Sequence, residues 1–146
     1  MDHHINPDRT RFARFKDLPR DAPVEMLNLV RLRDRAVYED GEDAPGTFTG
    51  TLTGAEAYAA YGRESGPIFR ALGGRILWSG APQLMLIGPE DEAWDIAFIA
   101  AYPSGQAFID MIRNADYQRA ARHRTAAVVD SRLIRMAPGK KGAGFG

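Results

Sequence analysis

No cysteine occurs anywhere in the 146 residues. Disulfides, thiolate-bound zinc and thiol catalysis are therefore excluded from the start. An excess of charge is missing too, because 19 Lys and Arg balance 19 Asp and Glu. A nucleic-acid surface needs a clear basic excess, so no nucleic-acid partner is expected. Long hydrophobic runs are absent: IAFIAAY is far shorter than the stretch a membrane span requires. The N-terminal MDHHINPDRTRF carries no hydrophobic signal segment, and the chain reads as soluble and cytoplasmic, with no membrane partner. Histidine is scarce, with three in all, and the adjacent His3 and His4 make a poor metal site without further ligands. No glycine-rich phosphate loop links a strand to a helix, and no nucleophile elbow is present. Neither a metal nor a cofactor is expected.

What is present suits a single domain, since 45% apolar residues provide for a sizeable core. Residues 1–23 are polar, with Pro7, Pro19 and Pro23, and read as an N-terminal arm. Phe12, Phe15 and Leu18 recur in it at three-residue spacing, enough for a short amphipathic turn or two. The arm is either loosely held or packed on a neighbouring subunit. VEMLNLVRL, residues 24–32, follows Pro23 and predicts the first strand. RDRAVYEDGEDAPGTFTG then reads as a long loop, and such loops are functional or mobile.

Thr53 and Glu56 have the spacing of a capping box and predict a helix start at 53. Gly62, Gly66 and Pro67 predict a kink or two joined helices, with Ser65 capping the second piece. Gly73 and Gly74 end the segment. RILWSGAPQLMLIG, residues 75–88, predicts a strand pair or a strand broken at Gly80 to Pro82. WDIAFIAAYP, residues 94–103, predicts the next strand. Ser104 caps a further helix through FIDMIRN, with a second short helix over 114–124. AVVDSRLIRM, residues 127–136, is the last strand, and residues 137–146 form a glycine-rich, flexible tail. The order β-α-β-β-α-β defines an α+β, ferredoxin-like antiparallel sheet with both helices on one face, spanning residues 24–136.

Strand parity adds an expectation about assembly. Met26, Val30 and Leu32 point one way along the first strand, and Leu27 and Leu29 the other. Ile96, Phe98 and Ala100 likewise oppose Ala97, Ile99 and Ala101. Two helices cover only one of these apolar faces, and a solvated face should alternate with polar residues instead. A homodimer that buries the second face follows.

Taken in order, MLNLVRLRD, GAEAYAAYG, GGRILWSG and NADYQ resemble the domain of unknown function 1330 family over roughly residues 24–136. That family belongs to the dimeric α+β barrel superfamily, so the resemblance implies a ferredoxin-like protomer that pairs into a barrel. It implies no activity, because the family is named for lacking one. The loop over 33–52 is longer than in shorter members. Superfamily relatives include cofactor-free monooxygenases and haem-degrading enzymes. The latter use an asparagine on the first strand, a tryptophan and a helical histidine. Asn28 and His123 are similar in placement, but neither Trp78 nor Trp94 stands just upstream of the histidine, which counts against haem.

Six residues are the candidates for a site. Asn28 shares a strand face with Met26 and Val30; it is either a structural amide or a pocket-wall contact, since burial demands partners for it. Tyr58 and Tyr61 are an i, i+3 pair suited to packing on the sheet or to lining a cavity. Trp78 has Gly80 and Pro82 beside it to leave room. Tyr117, Ala120, Ala121 and Arg124 fall on one helical face, which makes Arg124 a ligand-binding candidate. His123 lies between that face and solvent and is the catalytic candidate, since imidazole titrates near neutrality, although it also suits a helix end as a cation. Two functions follow. One is a small-molecule binder, with or without cofactor-independent monooxygenase-like or isomerase-like catalysis, in a pocket between sheet and helices. The other is a non-catalytic dimeric interaction or regulatory module, whose core would be filled.

Overall fold

The computed structural model describes residues 3–39, 52–140, 142, 144 and 145. Much of the expected long loop, residues 40–51, therefore lies outside the described residues, as does part of the expected tail. The elements run α1 (Arg9–Asp17), β1 (Val24–Leu32), α2 (Gly54–Ala71), β2 (Arg75–Gly80), β3 (Ile96–Tyr102), α3 (Gly105–Arg113), α4 (Ala115–Ala127) and β4 (Val128–Met136). The sheet order is β2-β3-β1-β4, and every neighbouring pair is antiparallel. With α1 set aside and α3 and α4 taken as one crossover, this is the ferredoxin-like arrangement. The sheet is open and forms no barrel within one chain. Among the described residues no helix is long and apolar enough to cross a membrane.

Local chemistry explains the helix limits. Thr53 and Glu56 form the reciprocal capping box, each side chain accepting from the other's backbone N–H at 3.0 Å. Gly54 sits where only glycine fits, because a Cβ there would lie 2.0 Å from the Arg33 carbonyl oxygen. At the far end Gly73 takes a φ of 85°, the left-handed conformation that terminates helices. Asn114 stops α3 and starts α4, its side chain accepting from the Tyr117 N–H at 3.0 Å.

The break expected at Gly62 to Pro67 does not occur: α2 runs through it as one helix of 18 residues. Pro67 deprives the Arg63 carbonyl of its helical donor, but Arg63 is exposed and water can replace the bond. Ser65 is no cap; its hydroxyl donates to the Tyr61 carbonyl one turn back at 2.6 Å. The strand expected over 75–88 ends at Gly80, and 81–87 form no strand.

One face of the sheet carries the core. Val24, Met26, Ala100 and Tyr102 pack with Phe108, Met111 and Tyr117 of α3 and α4. Val30 and Val128 pack with Ala57, Ala126 and Ala127. The N-terminal arm lies on this same chain. The ring of Phe15 in α1 sits 4.9 Å from that of Phe108, and the Arg135 guanidinium stacks on Phe15 at 4.5 Å. Arg135 also donates to the carbonyls of Phe15 and Pro19, which fixes the end of α1.

The opposite face, with Leu27, Leu29, Ala97 and Ile99, has no helix on it among the described residues. Trp78 and Ile134 on that face are 53% and 48% exposed, which leaves an apolar surface uncovered.

Candidate functional site

The helices do not close down on the whole of the sheet. Between β1, β2, β3 and β4 below, α2 and α4 above and the arm at one side lies an open cleft of about 1470 Å³. Its floor comes from the strand positions that alternate onto the helix side, among them Met26, Asn28, Phe98 and Leu133. Its roof comes from helical repeats. Tyr58, Tyr61 and Ser65 are spaced by three and four along α2, while Tyr117, Ala121 and Arg124 are spaced by four and three along α4.

Asn28, Tyr58, Tyr61 and Arg124 are thus brought together, four of the six residues singled out from the sequence. Asn28 donates through Nδ2 to the carbonyl of Met26 on its own strand at 3.1 Å. That bond satisfies part of the amide and leaves it on the cleft floor. Tyr61 and Tyr117 share a hydroxyl–hydroxyl bond of 2.7 Å, with their rings edge to face. Tyr58 stacks at a tilt on Tyr61, centroids 5.5 Å apart.

Burial pushes the Tyr58 hydroxyl well above its ordinary range; Tyr61 adds to this and the Arg124 charge opposes it. Tyr117 is pushed up in the same way, first by burial and then by Tyr61. Both therefore stay neutral hydrogen-bond donors at physiological pH. Arg124 donates through one terminal nitrogen to the Ile5 carbonyl of the arm, and through the other to the Ser131 hydroxyl at 3.2 Å. Neither partner is charged.

The structure does not bring Trp78 to the cleft. A bulge between Ile76 and Trp78 pairs Ile76 with Ala100 and Trp78 with Ile99, so the indole turns to the uncovered face. There it covers Gly80, where an added Cβ would come within 2.8 Å of the ring.

His123 is also outside the cleft. Its side chain is fully buried, and both nitrogens are engaged. Nδ1 bonds the Tyr38 hydroxyl at 2.8 Å, and Nε2 bonds the Glu64 carboxylate at 2.6 Å. With a carboxylate as acceptor, Nε2 holds the hydrogen of that bond. Arg122 approaches the other Glu64 oxygen at 3.4 Å. The imidazole thus ties α4 to α2 and to the segment after β1, and has no open edge for a substrate.

Sequence reasoning missed the arm's anchorage. Asp130 accepts from the His4 N–H and from Arg132, each at 2.9 Å, and Ser131 donates to the His4 carbonyl at 2.7 Å. The alternation of Asp130 and Arg132 on β4 was the available signal, but it does not name a partner 126 residues away. Among the described residues no group of three or more His, Asp or Glu side chains is placed to hold a metal ion.

The family model for the domain of unknown function 1330 matches residues 48–136. The chain belongs to that family. The RPA0582 protein of Rhodopseudomonas palustris, described as of unknown function, is similar at 55% identity and a TM-score of 0.85 over 95% of this chain and 99% of that one. The methylated form of the RPA0582 protein gives 55% identity and a TM-score of 0.87 over 98% and 100%. A dimeric protein of unknown function with a ferredoxin-like fold from Bacteroides fragilis shares 13% identity, with a TM-score of 0.47 over 79% and 95%. No protein of curated function matches the chain.

Proposed function

We propose that this protein is a homodimeric small-molecule-binding protein whose site is the cleft between the sheet and the helices. The observation that carries the reading is the unfilled space itself, about 1470 Å³, with Asn28, Tyr58, Tyr61 and Arg124 around it. Ligand sites are concave and mostly apolar, with a few convergent polar groups, and this cleft has that composition. Catalysis is not part of the reading, because the imidazole that would have served as acid or base is sealed off from the cleft. The dimer is supported by the uncovered face bearing Leu27, Leu29, Ile99, Trp78 and Ile134, which the same face of a second copy would bury.

Native mass spectrometry of the protein as purified from cells, set against its denatured mass, tests both parts. A dimer carrying additional non-covalent mass is the expected result. A monomer refutes the assembly, and a cleft that takes up no ligand from any small-molecule panel refutes the site. One observation favours a second reading, a non-catalytic interaction module. Leu84, Leu86 and Ile87 stand 78%, 83% and 91% exposed on the segment after β2, a surface suited to a protein partner.

A further inference from the structure

We propose that the cleft's ligand is an amphiphilic carboxylate, its head group held by Arg124 and its apolar body lying across the sheet. This rests on the cleft being a ligand site and goes on to name what it takes.

Charge is the first argument. Six arginines line the cleft against a single acid, Asp8; Arg11 is paired with Asp8 and Arg132 with Asp130 and Glu92, which leaves Arg70, Arg75, Arg124 and Arg135 without an acid paired to them among the described residues. A cationic ligand would meet net repulsion there, and an anionic one attraction.

Position is the second argument. Arg124 reaches the cleft from the last turns of α4, beside the arm and β4, half-buried, with only a backbone carbonyl and a hydroxyl as partners. A guanidinium carries five N–H donors, so these two bonds leave it unsaturated. A planar fork with donors to spare matches a carboxylate, which accepts two of them side by side. The neighbouring tyrosines add to this. In the Tyr61–Tyr117 pair one hydroxyl donates to the other, and the accepting one keeps its own hydrogen for a further acceptor. Arg124 is near enough to act electrostatically on both Tyr58 and Tyr117. A carboxylate at Arg124 therefore finds neutral hydroxyl donors beside the charge and no competing acid.

The floor sets the rest of the molecule. Ile76 on β2 and Leu133 on β4 are 51% and 40% exposed, yet both face the cleft, with Phe98 and Met26 on the strands between. The two edge strands are three strand spacings apart, about 14 Å. A medium-length alkyl chain covers most of that distance and would reach both exposed side chains, and a fused bicyclic aromatic covers about two-thirds of it. A small polar acid would leave them wet.

Isothermal titration calorimetry with 2-naphthoate and octanoate, each against its neutral amide, tests this on the full chain. The carboxylates should bind at least about tenfold tighter than the amides, the range of a charge-assisted pair. Arg124→Gln should bring that ratio close to one, while Arg124→Lys, which keeps a charge but not the fork, should give an intermediate ratio. The lysine variant also supplies the test if the glutamine variant does not fold. Arg113→Gln removes an exposed positive charge outside the cleft and should keep the ratio. Equal binding of acid and amide to the unaltered protein overturns the carboxylate while leaving the cleft as a site. A ratio that survives Arg124→Gln, or one lost in Arg113→Gln, overturns the assignment to Arg124. Binding of neither acids nor amides sinks the cleft itself.

Discussion

Replacing His123 by alanine separates a structural imidazole from a catalytic one. The side chain is fully buried and makes two hydrogen bonds, to Tyr38 at 2.8 Å and to Glu64 at 2.6 Å. Deleting it leaves a cavity and takes one hydrogen bond from each partner. Glu64 is 41% exposed and rehydrates at little cost, whereas Tyr38 is half-buried. A lost bond contributes about 1 kcal/mol, and partial collapse around a truncated buried side chain contributes about 2 kcal/mol more. The total is about 3 kcal/mol, which for a domain of this size lowers the melting temperature by about 6–12 °C. Urea denaturation at fixed protein concentration should show the midpoint falling while its slope stays constant. Glu64→Gln keeps an acceptor for Nε2 and should lose less than about 1 kcal/mol. Dimerisation and cleft binding should survive in folded His123→Ala. A variant that keeps its full stability but loses ligand would refute the reasoning, because His123 would then act on the ligand and not on the fold.

Three further outcomes follow from the same structure. Gly54→Ala ordinarily gains stability by restricting the unfolded chain, but here the new Cβ meets the Arg33 carbonyl at 2.0 Å. A loss of at least about 2 kcal/mol in chemical denaturation is expected, and a gain would show that β1 and α2 are less closely apposed. For Asp130, burial alone would raise the carboxyl, but the His4 N–H and the Arg132 guanidinium outweigh it and hold it below its usual range. A depressed folded value stabilises above the unfolded value near about 4 and is lost as pH falls below that. Stability should therefore drop on acidification through this window, together with the arm's protection from proteolysis, and Asp130→Asn should flatten the drop. Ile134→Asp places a charge on the uncovered face, away from the core. Sedimentation velocity should then find a folded monomer; an unchanged dimer would place the interface elsewhere.

The sequence was most informative where the controlling interaction is short in range. The Thr53–Glu56 capping box, the helix stop at Gly73 and the strand over 24–32 all depend on residues within a few positions of one another. The parity of β1 was legible because nothing interrupts its alternation until the register shift at Arg31 and Leu32. Trp78 was misplaced because one bulged residue turns every later side chain of β2 to the other face, and composition does not announce a bulge. Pro67 was read as a break because its local cost is real. What tolerates it is the exposure of the Arg63 turn, a tertiary fact. His123 was placed between a helix face and solvent, yet its partners are 59 and 85 residues away and only the fold brings them together. Tyr58, Tyr61, Asn28 and Arg124 converge because helical and strand periodicities each point them to one side.

The absence of cysteine allows a direct test of whether the cleft is open. Ala121 lines it from α4, whereas Ala57 is fully buried against the core on α2. Single cysteines at these two positions, Ala121→Cys and Ala57→Cys, can be titrated with a thiol-reactive disulfide in the native protein. An open cleft requires Ala121→Cys to react at least about tenfold faster, since Ala57→Cys must wait for the chain to open, and a bound carboxylate should slow it. Equal, slow reaction at both positions would mean that the space between sheet and helices is closed in solution, contradicting the binding site.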